Sequence, residues 1–87
     1  MRAGRLLAWN LRKIRIGRGI SQEVLAVDAG IDRTYVSRIE RSLENPSVDV
    51  VERFALALSV EITDFFRRPA KGEKLPPVLK KGPKGKG

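Results

Sequence analysis

A glycine-containing turn near the middle of the chain separates two short segments that carry apolar residues at helical spacing. The segments cover residues 22–29 and 33–41, and Ser21 and Asp32 precede them. Serine and aspartate are favoured just before a helix because their side chains accept hydrogen bonds from its free N–H groups. Gly30 can adopt the left-handed conformation that ends many helices. The sequence therefore predicts two short helices joined by a turn of about three residues.

Helical periodicity also extends to both sides of this pair. Residues 5–18 place leucine and isoleucine side chains on one face of a first helix. Ser47, which follows the helix-breaking Pro46, is predicted to cap a fourth helix, and residues 61–66 are predicted to form a last short one. No segment alternates apolar and polar residues as a half-buried strand does. We therefore expect an all-α fold, a compact bundle of five helices.

The residue types that are missing exclude several classes of function. The 87 residues include no cysteine and no histidine, which excludes disulfides, thiolate metal sites and the commonest zinc ligand and general base. The acidic residues lie on separate helix faces, with no paired motif for catalysis. No apolar run approaches the roughly 18 residues of a membrane span, and the N-terminus shows no targeting segment. We expect a cytoplasmic protein that is not an enzyme and needs no cofactor or metal.

The positive charge of the chain is concentrated after residue 66. The formal net charge is +8, and residues 67–87 hold eight lysines and arginines, one acid and four of the five prolines. We expect residues 1–66 to form the domain and residues 67–87 a disordered or extended tail. Two hypotheses stay open for the tail, a solvated extension or a segment that contacts phosphates. An acidic membrane surface is less favoured, because large apolar anchors are few.

The segment DRTYVSRIER, residues 32–41, separates its polar and apolar residues when it is drawn as a helix. The polar side holds Arg33, Thr34, Ser37, Arg38 and Arg41, and no acid interrupts it. The opposite side holds Tyr35, Val36 and Ile39, with Glu40 at the boundary. Arginine can donate two parallel hydrogen bonds to guanine, and serine and threonine bond to several base edges. This pattern is typical of a DNA-binding helix, although many surface helices with several arginines are merely solvated.

Four motifs together resemble one known family. They are S-Q-E-x-L-A at residues 21–26, A-G at 29–30, S-R-I-E at 37–40 and N-P-S at 45–47. Over about residues 7–66 the chain resembles the phage-repressor-like (Xre or Cro-type) helix-turn-helix family. The resemblance implies a compact five-helix domain that binds operator DNA as a twofold dimer and inserts the second helix of its motif into the major groove.

The resemblance also implies roles for individual residues. Base edges would be contacted by Arg33, Thr34, Ser37 and Arg38. Phosphates would be contacted by Gln22, Arg41 and Asn45, and Gln22 would also brace the start of the third helix. Tyr35 is open between two roles on its position alone: we expect its ring to pack against the second helix, and its hydroxyl is a candidate for a phosphate contact. Arg15 on the first helix would form a structural ion pair with Glu40.

Some positions depart from the family pattern. Ser42 stands where the family often has glycine, and serine is less favourable in a left-handed conformation. We therefore expect the end of the third helix, and with it the placement of Asn45, to differ slightly from the family pattern. Trp9 and Ile16 stand at positions that are usually polar, so we expect partial burial by a neighbouring segment; the alternative is a subunit contact or a patch covered by the tail. One of the two phenylalanines at residues 65–66 is expected in the core. The other is a candidate, with Ile62 and Val60, for a dimer interface.

These observations predict a sequence-specific DNA-binding regulator of transcription that acts as a homodimer on double-stranded DNA. A repressor is favoured over an activator, because occupancy alone can block a promoter. The alternative is an interaction component of a toxin–antitoxin or restriction–modification control system that also binds its own promoter. That alternative adds a protein partner whose identity the sequence does not specify.

Overall fold

The structure, a computed structural model, describes residues 2–77 and consists of helices joined by short turns. The helices are α1 (Ala3–Gly17), α2 (Gln22–Ala29), α3 (Arg33–Glu40), α4 (Val48–Leu58) and a 3-10 helix (Ile62–Phe66). No strand occurs within residues 2–77. The all-α class is thus confirmed, but the count of five α-helices is wrong by one. The last element lies where a helix was predicted, but its five residues form a 3-10 helix, which is common for such short pieces.

The helix boundaries follow from local capping. Ser21 accepts a hydrogen bond from the Val24 N–H at 3.1 Å, and Asp32 accepts one from the Thr34 N–H at 2.9 Å. Ser47 caps α4 in the same way, and each bond satisfies a backbone N–H group that has no partner within the helix. Gly30 ends α2 with φ of 69°. The three predicted capping residues therefore cap their helices in the structure.

The end of α3 comes one residue earlier than predicted. Ser42 has φ of 61°, so the chain leaves the helix after Glu40 through Arg41. A left-handed conformation disfavours residues with a Cβ, and serine at this position retains the strain that glycine would avoid.

A single hydrophobic core joins all the helices. Leu11, Val36, Phe54 and Phe65 are completely buried, and they come from α1, α3, α4 and the 3-10 helix. Full burial of such a side chain contributes about 1.5–3 kcal/mol. Of the two adjacent phenylalanines, Phe65 fills the core, whereas Phe66 is 40% exposed.

Residues 67–77, the C-terminal strap, lie against α1. Asn10 donates hydrogen bonds to the carbonyl oxygens of Phe65 at 3.0 Å and Arg67 at 2.8 Å. Further along the strap, Glu73 forms an ion pair with Lys13. The ammonium group of Lys13 and the Ala70 N–H donate to the Glu73 carboxylate and hold its pKa below the usual value. The strap is thus attached at two points.

The predicted division at residue 66 stays a prediction. Residues 78–87, which include most of the predicted tail's lysines, lie outside the described residues.

The two unusual apolar positions on α1 are covered by neighbouring segments. Ile16 is 6% exposed. Trp9 is half-buried, with the Lys13 ammonium 5.2 Å from its ring centroid. Leu75 of the strap lines the same cleft as Trp9, beside Arg41 and Ser42 at the end of α3. The structure therefore favours burial over a subunit contact at these positions, and the segment beside Trp9 belongs to the predicted tail.

The described part of the chain contains no helix that is long and apolar enough to cross a membrane. It also contains no group of three or more side chains arranged to hold a metal ion.

Candidate nucleic-acid interface

Helix α3 presents its polar residues away from the core. Val36 and Ile39 are at most 1% exposed and anchor the helix on the hydrophobic core. The other side carries the predicted base-contacting residues. Arg33 and Thr34 are exposed, Ser37 and Arg38 are half-buried, and the neighbouring Arg41 is exposed. The structure therefore leaves all five polar residues accessible, four on α3 and Arg41 just beyond its end, where they can donate hydrogen bonds to bases and phosphates.

A buried ion pair fixes the far end of α3. Arg15 donates from Nε to Glu40 Oε2 at 2.7 Å and from Nη2 to Oε1 at 3.0 Å. The side chains are only 9% and 3% exposed. Arg15 Nη1 also donates to the Ile20 carbonyl at 2.9 Å, which fixes the loop between α1 and α2. Because the arginine is bidentate, it sets the orientation of α3 as well as its distance from α1.

Gln22 completes this network, but not as predicted. Its Nε2 donates to Glu40 Oε1 at 3.1 Å. The expectation that Gln22 braces the start of α3 is therefore wrong, since it contacts the last residue of that helix. The reason is geometric, because the Glu40 carboxylate that Arg15 holds lies beside the start of α2. Gln22 thus connects α2 to the ion pair between α1 and α3.

An acid does contact the polar face, contrary to expectation. Glu44 lies beyond the end of α3, and its Oε2 accepts a hydrogen bond from Arg38 Nε at 2.9 Å. The helical projection covered only residues 32–41, whereas Glu44 approaches from the connection to α4. Within residues 2–77, Arg33 and Arg41 form no ion pair, so Arg38 alone among the three has its charge balanced.

The remaining predicted phosphate contacts lie around this face. Tyr35 is half-buried and packs against the core cluster. Asn45 is exposed in the α3–α4 connection, where it closely approaches α1. A Cβ placed on Gly4 would lie 3.0 Å from Asn45 Oδ1, which makes glycine the residue that best permits this approach. Asn45 therefore lies close to the first turn of α1.

Asn10 was missed by the sequence analysis. It is 4% exposed and donates to three carbonyl oxygens, those of Leu6, Phe65 and Arg67. The sequence did contain a sign of this role, because Asn10 lies among apolar residues of the first helix. A buried amide there needs hydrogen-bond partners, since an unpaired one is costly.

The chain is similar to several known regulators. The helix-turn-helix family matches residues 11–65. A hypothetical transcription factor of Neisseria meningitidis is 41% identical over 70 residues, which cover 80% of this chain and 66% of that protein. Control protein C.BamHI of Bacillus amyloliquefaciens is 40% identical over 62 residues, or 70% of this chain and 76% of that protein.

Solved structures agree with these relatives. The restriction-modification controller protein C.Esp1396I, a tetramer in complex with its natural 35-base-pair operator, superposes with a TM-score of 0.69 at 33% identity. The match covers 76% of this chain and 87% of that one. The match to the family includes α2, the turn and α3. These elements contain most of the sequence motifs on which the resemblance was based. The chain therefore belongs to the helix-turn-helix family.

Proposed function

We propose that this protein is a sequence-specific DNA-binding regulator of transcription that acts as a homodimer on a twofold operator. Residues 1–66 form its DNA-binding domain. A repressor is favoured over an activator, since occupancy of a promoter suffices to block it. Such a role places the protein in the cytoplasm with the DNA it regulates.

The observation that carries this proposal is the outer face of α3. Two arginines, a threonine and a serine project from a helix whose other side is held on the core by Val36 and Ile39, and Arg41 follows directly after it. Because the helix is already held in place, it can enter the major groove with little further loss of conformational freedom. Its hydrogen-bond donors match the acceptors of guanine and adenine. We assign base contacts to Arg33, Thr34, Ser37 and Arg38.

The flanking residues supply contacts to the DNA backbone in this proposal. Gln22, Tyr35, Arg41 and Asn45 lie around the ends of α2 and α3. Backbone contacts fix the register of the helix on the duplex, and base contacts then select the sequence.

A homodimer is proposed because one recognition helix covers few base pairs, whereas two related by symmetry cover two half-sites. Phe66 is 40% exposed and lies in an apolar groove with Leu7, Val48 and Ile62. We assign the dimer contact to this groove.

The test is selection from a random-sequence DNA pool at fixed salt. The wild type is compared with Arg33→Ala plus Arg38→Ala. A matched control, Arg2→Ala plus Arg18→Ala, removes the same charge from exposed positions outside α2 and α3. We expect the wild type and the control to enrich a motif of two half-sites and the α3 variant to enrich none.

If the wild type binds DNA without enriching any motif, and the α3 variant behaves alike, sequence recognition by α3 is excluded. Binding would then depend on the basic tail, and the function would lie with protein partners.

A second candidate function is control of a restriction–modification system. The similarity to the control protein C.BamHI and to C.Esp1396I favours it, and an antitoxin-type role with a protein partner would also retain promoter binding. Footprinting on DNA upstream of the protein's own gene tests this candidate. Protection there, next to genes for a methyltransferase and an endonuclease, supports the controller function; protection only at distant promoters contradicts it.

A further inference from the structure

Glu44 forms the one ion pair on the outer face of α3 that is visible within residues 2–77. Its Oε2 accepts a hydrogen bond from Arg38 Nε at 2.9 Å, and the side chains of Arg38 and Glu44 are 43% and 37% exposed. An ion pair this exposed contributes little to folding, about 0–1 kcal/mol. The ion pair therefore has more scope to affect DNA binding by Arg38 than to affect the stability of the fold.

The contact uses only part of the guanidinium group. Arginine has five N–H donors, and Glu44 accepts from Nε. Among the described residues, the Nη1 and Nη2 groups of Arg38 make no hydrogen bond, unlike those of Arg15. These two groups can still donate a parallel pair of bonds to guanine O6 and N7.

The two kinds of DNA contact respond differently to the carboxylate. Attraction to phosphates depends on charge, and Glu44 balances the charge of Arg38. Recognition of guanine depends on where the N–H donors are placed. The bond from Arg38 Nε to Glu44 restricts the orientation of the guanidinium plane, while the Nη1 and Nη2 groups stay free to donate.

We propose that Glu44 is a specificity-determining residue, which suppresses phosphate binding by Arg38 and holds its Nη groups for a base edge. This inference rests on the proposed function, because it requires Arg38 to face a base. Specificity is a difference between affinities, so weaker non-specific binding raises it as effectively as stronger binding to the operator.

The experiment compares wild type, Glu44→Gln, Arg38→Ala and the double variant by DNA-pool selection. Affinity for one operator duplex and one unrelated duplex is measured at several salt concentrations. The base position recognised by Arg38 is defined as the one whose preference disappears in Arg38→Ala. Asp28→Asn is the matched control, since it removes one negative charge from an exposed α2 residue that has no ion pair in the described structure.

We expect Glu44→Gln to bind the unrelated duplex more tightly and to steepen the salt slope by about 0.9, the value for one more phosphate contact. The preference at the Arg38 position should fall several-fold, within the roughly 5- to 150-fold that a good bidentate contact provides. In the Arg38→Ala background, where that preference is already absent, the same substitution should leave the salt slope and the rest of the motif unchanged. Asp28→Asn should leave the preference unchanged, and thermal unfolding of Glu44→Gln should match that of the wild type.

Three results would overturn the inference. Unchanged slope and preference in Glu44→Gln would show that the ion pair does not affect recognition. A preference at another base position that disappears with Glu44→Gln, both in the wild type and in the Arg38→Ala background, would show that Glu44 contacts a base itself, for example the cytosine amino group. A wild type that enriches no motif would overturn this inference together with the proposed function, whereas the first two results leave that function intact.

Discussion

At the scale of single residues, the ion pair between Arg15 and Glu40 is the contact on which the position of α3 most depends. Both side chains are almost completely buried, and each of the two carboxylate oxygens accepts a bond from Arg15. Burial makes such a pair expensive to break, because removal of one partner leaves an uncompensated charge in the interior.

We expect Arg15→Met to destabilise the fold by about 3–5 kcal/mol, since Glu40 would stay buried without its partner. Urea denaturation measures the change. Arg67→Ala is the control, because it breaks an exposed pair with Asp64 and should cost at most about 1 kcal/mol. If the two substitutions lowered the free energy of unfolding equally, burial of the Arg15–Glu40 pair would not explain its contribution to stability.

Some residue contacts were predictable and others were not. The pairing of Arg15 with Glu40 followed from the resemblance, because both positions match the family pattern. The partner of Gln22 did not, since an amide at the start of α2 has several acceptors within reach. The contact between Glu44 and Arg38 also lay beyond helical periodicity, because the chain turns between them at Ser42.

Glu73 allows a prediction on pH. Its pKa is lowered by the Lys13 ammonium and the Ala70 N–H, so its bonds stabilise the strap above the ordinary carboxyl pKa. The stabilisation is lost as the pH falls through the lowered value. Trp9, the sole tryptophan, lies in the same cleft as Leu75 of the strap.

We expect the fluorescence of Trp9 to shift to the red as acid protonates Glu73. Glu73→Gln should show the shift already at neutral pH. Glu52→Gln, at an exposed position on α4, should behave like the wild type. A Glu73→Gln spectrum identical to that of the wild type at neutral pH would show that the ion pair does not hold the strap.

At the scale of the elements, caps and turns determined what the sequence could predict. Ser21, Asp32 and Ser47 cap their helices by local hydrogen bonds, which is why three boundaries were found from the sequence alone. The type of the last element was not found, because five residues satisfy 3-10 and α periodicity equally well.

Ser42 provides the test at this scale. We expect Ser42→Gly to stabilise the protein by about 0.5–1 kcal/mol, because glycine avoids the roughly 1–2 kcal/mol of left-handed strain but gains freedom in the unfolded state. Ser47→Gly is the control, since Ser47 has φ of −68° and the substitution removes its cap. Thermal unfolding should move in opposite directions for the two variants, and a decrease for both would contradict the strain at Ser42.

At the scale of the whole molecule, the proposed function requires a dimer, and its contact is assigned to the apolar groove around Phe66. Phe66→Asp should weaken the proposed dimer, because a charge would be buried in an apolar groove. Sedimentation velocity should then detect a monomer where the wild type is a dimer. Leu56→Asp changes a 76% exposed residue outside this groove and should leave the assembly intact. A dimeric Phe66→Asp variant would exclude the groove as the interface.

The contribution of the tail is tested by truncation after Pro77, which removes four lysines and retains the strap. If the tail binds phosphates, the salt slope of DNA binding should fall by up to about 0.9 for each phosphate that the removed lysines had neutralised, with an unchanged motif. An unchanged slope would favour the solvated extension. Truncation after Phe66 would be a poorer test, because Asn10 would no longer reach the Arg67 carbonyl.

The bonds of Asn10 also have a consequence for the order of events during synthesis. This residue of α1 reaches its last acceptor 57 residues further along the chain. The residues of α1 are therefore synthesised long before Phe65 and Arg67, whose carbonyl groups accept the Asn10 hydrogen bonds. Helices α2 and α3 can form while the chain is still growing, but α1 can complete its amide contacts only after Arg67 has been added. The two side-chain N–H groups of Asn10 have two acceptors, the Leu6 and Phe65 carbonyls, once residue 65 is present, and the Arg67 carbonyl adds a third. A nascent chain that stops before residue 65 would leave one of these N–H groups without its acceptor.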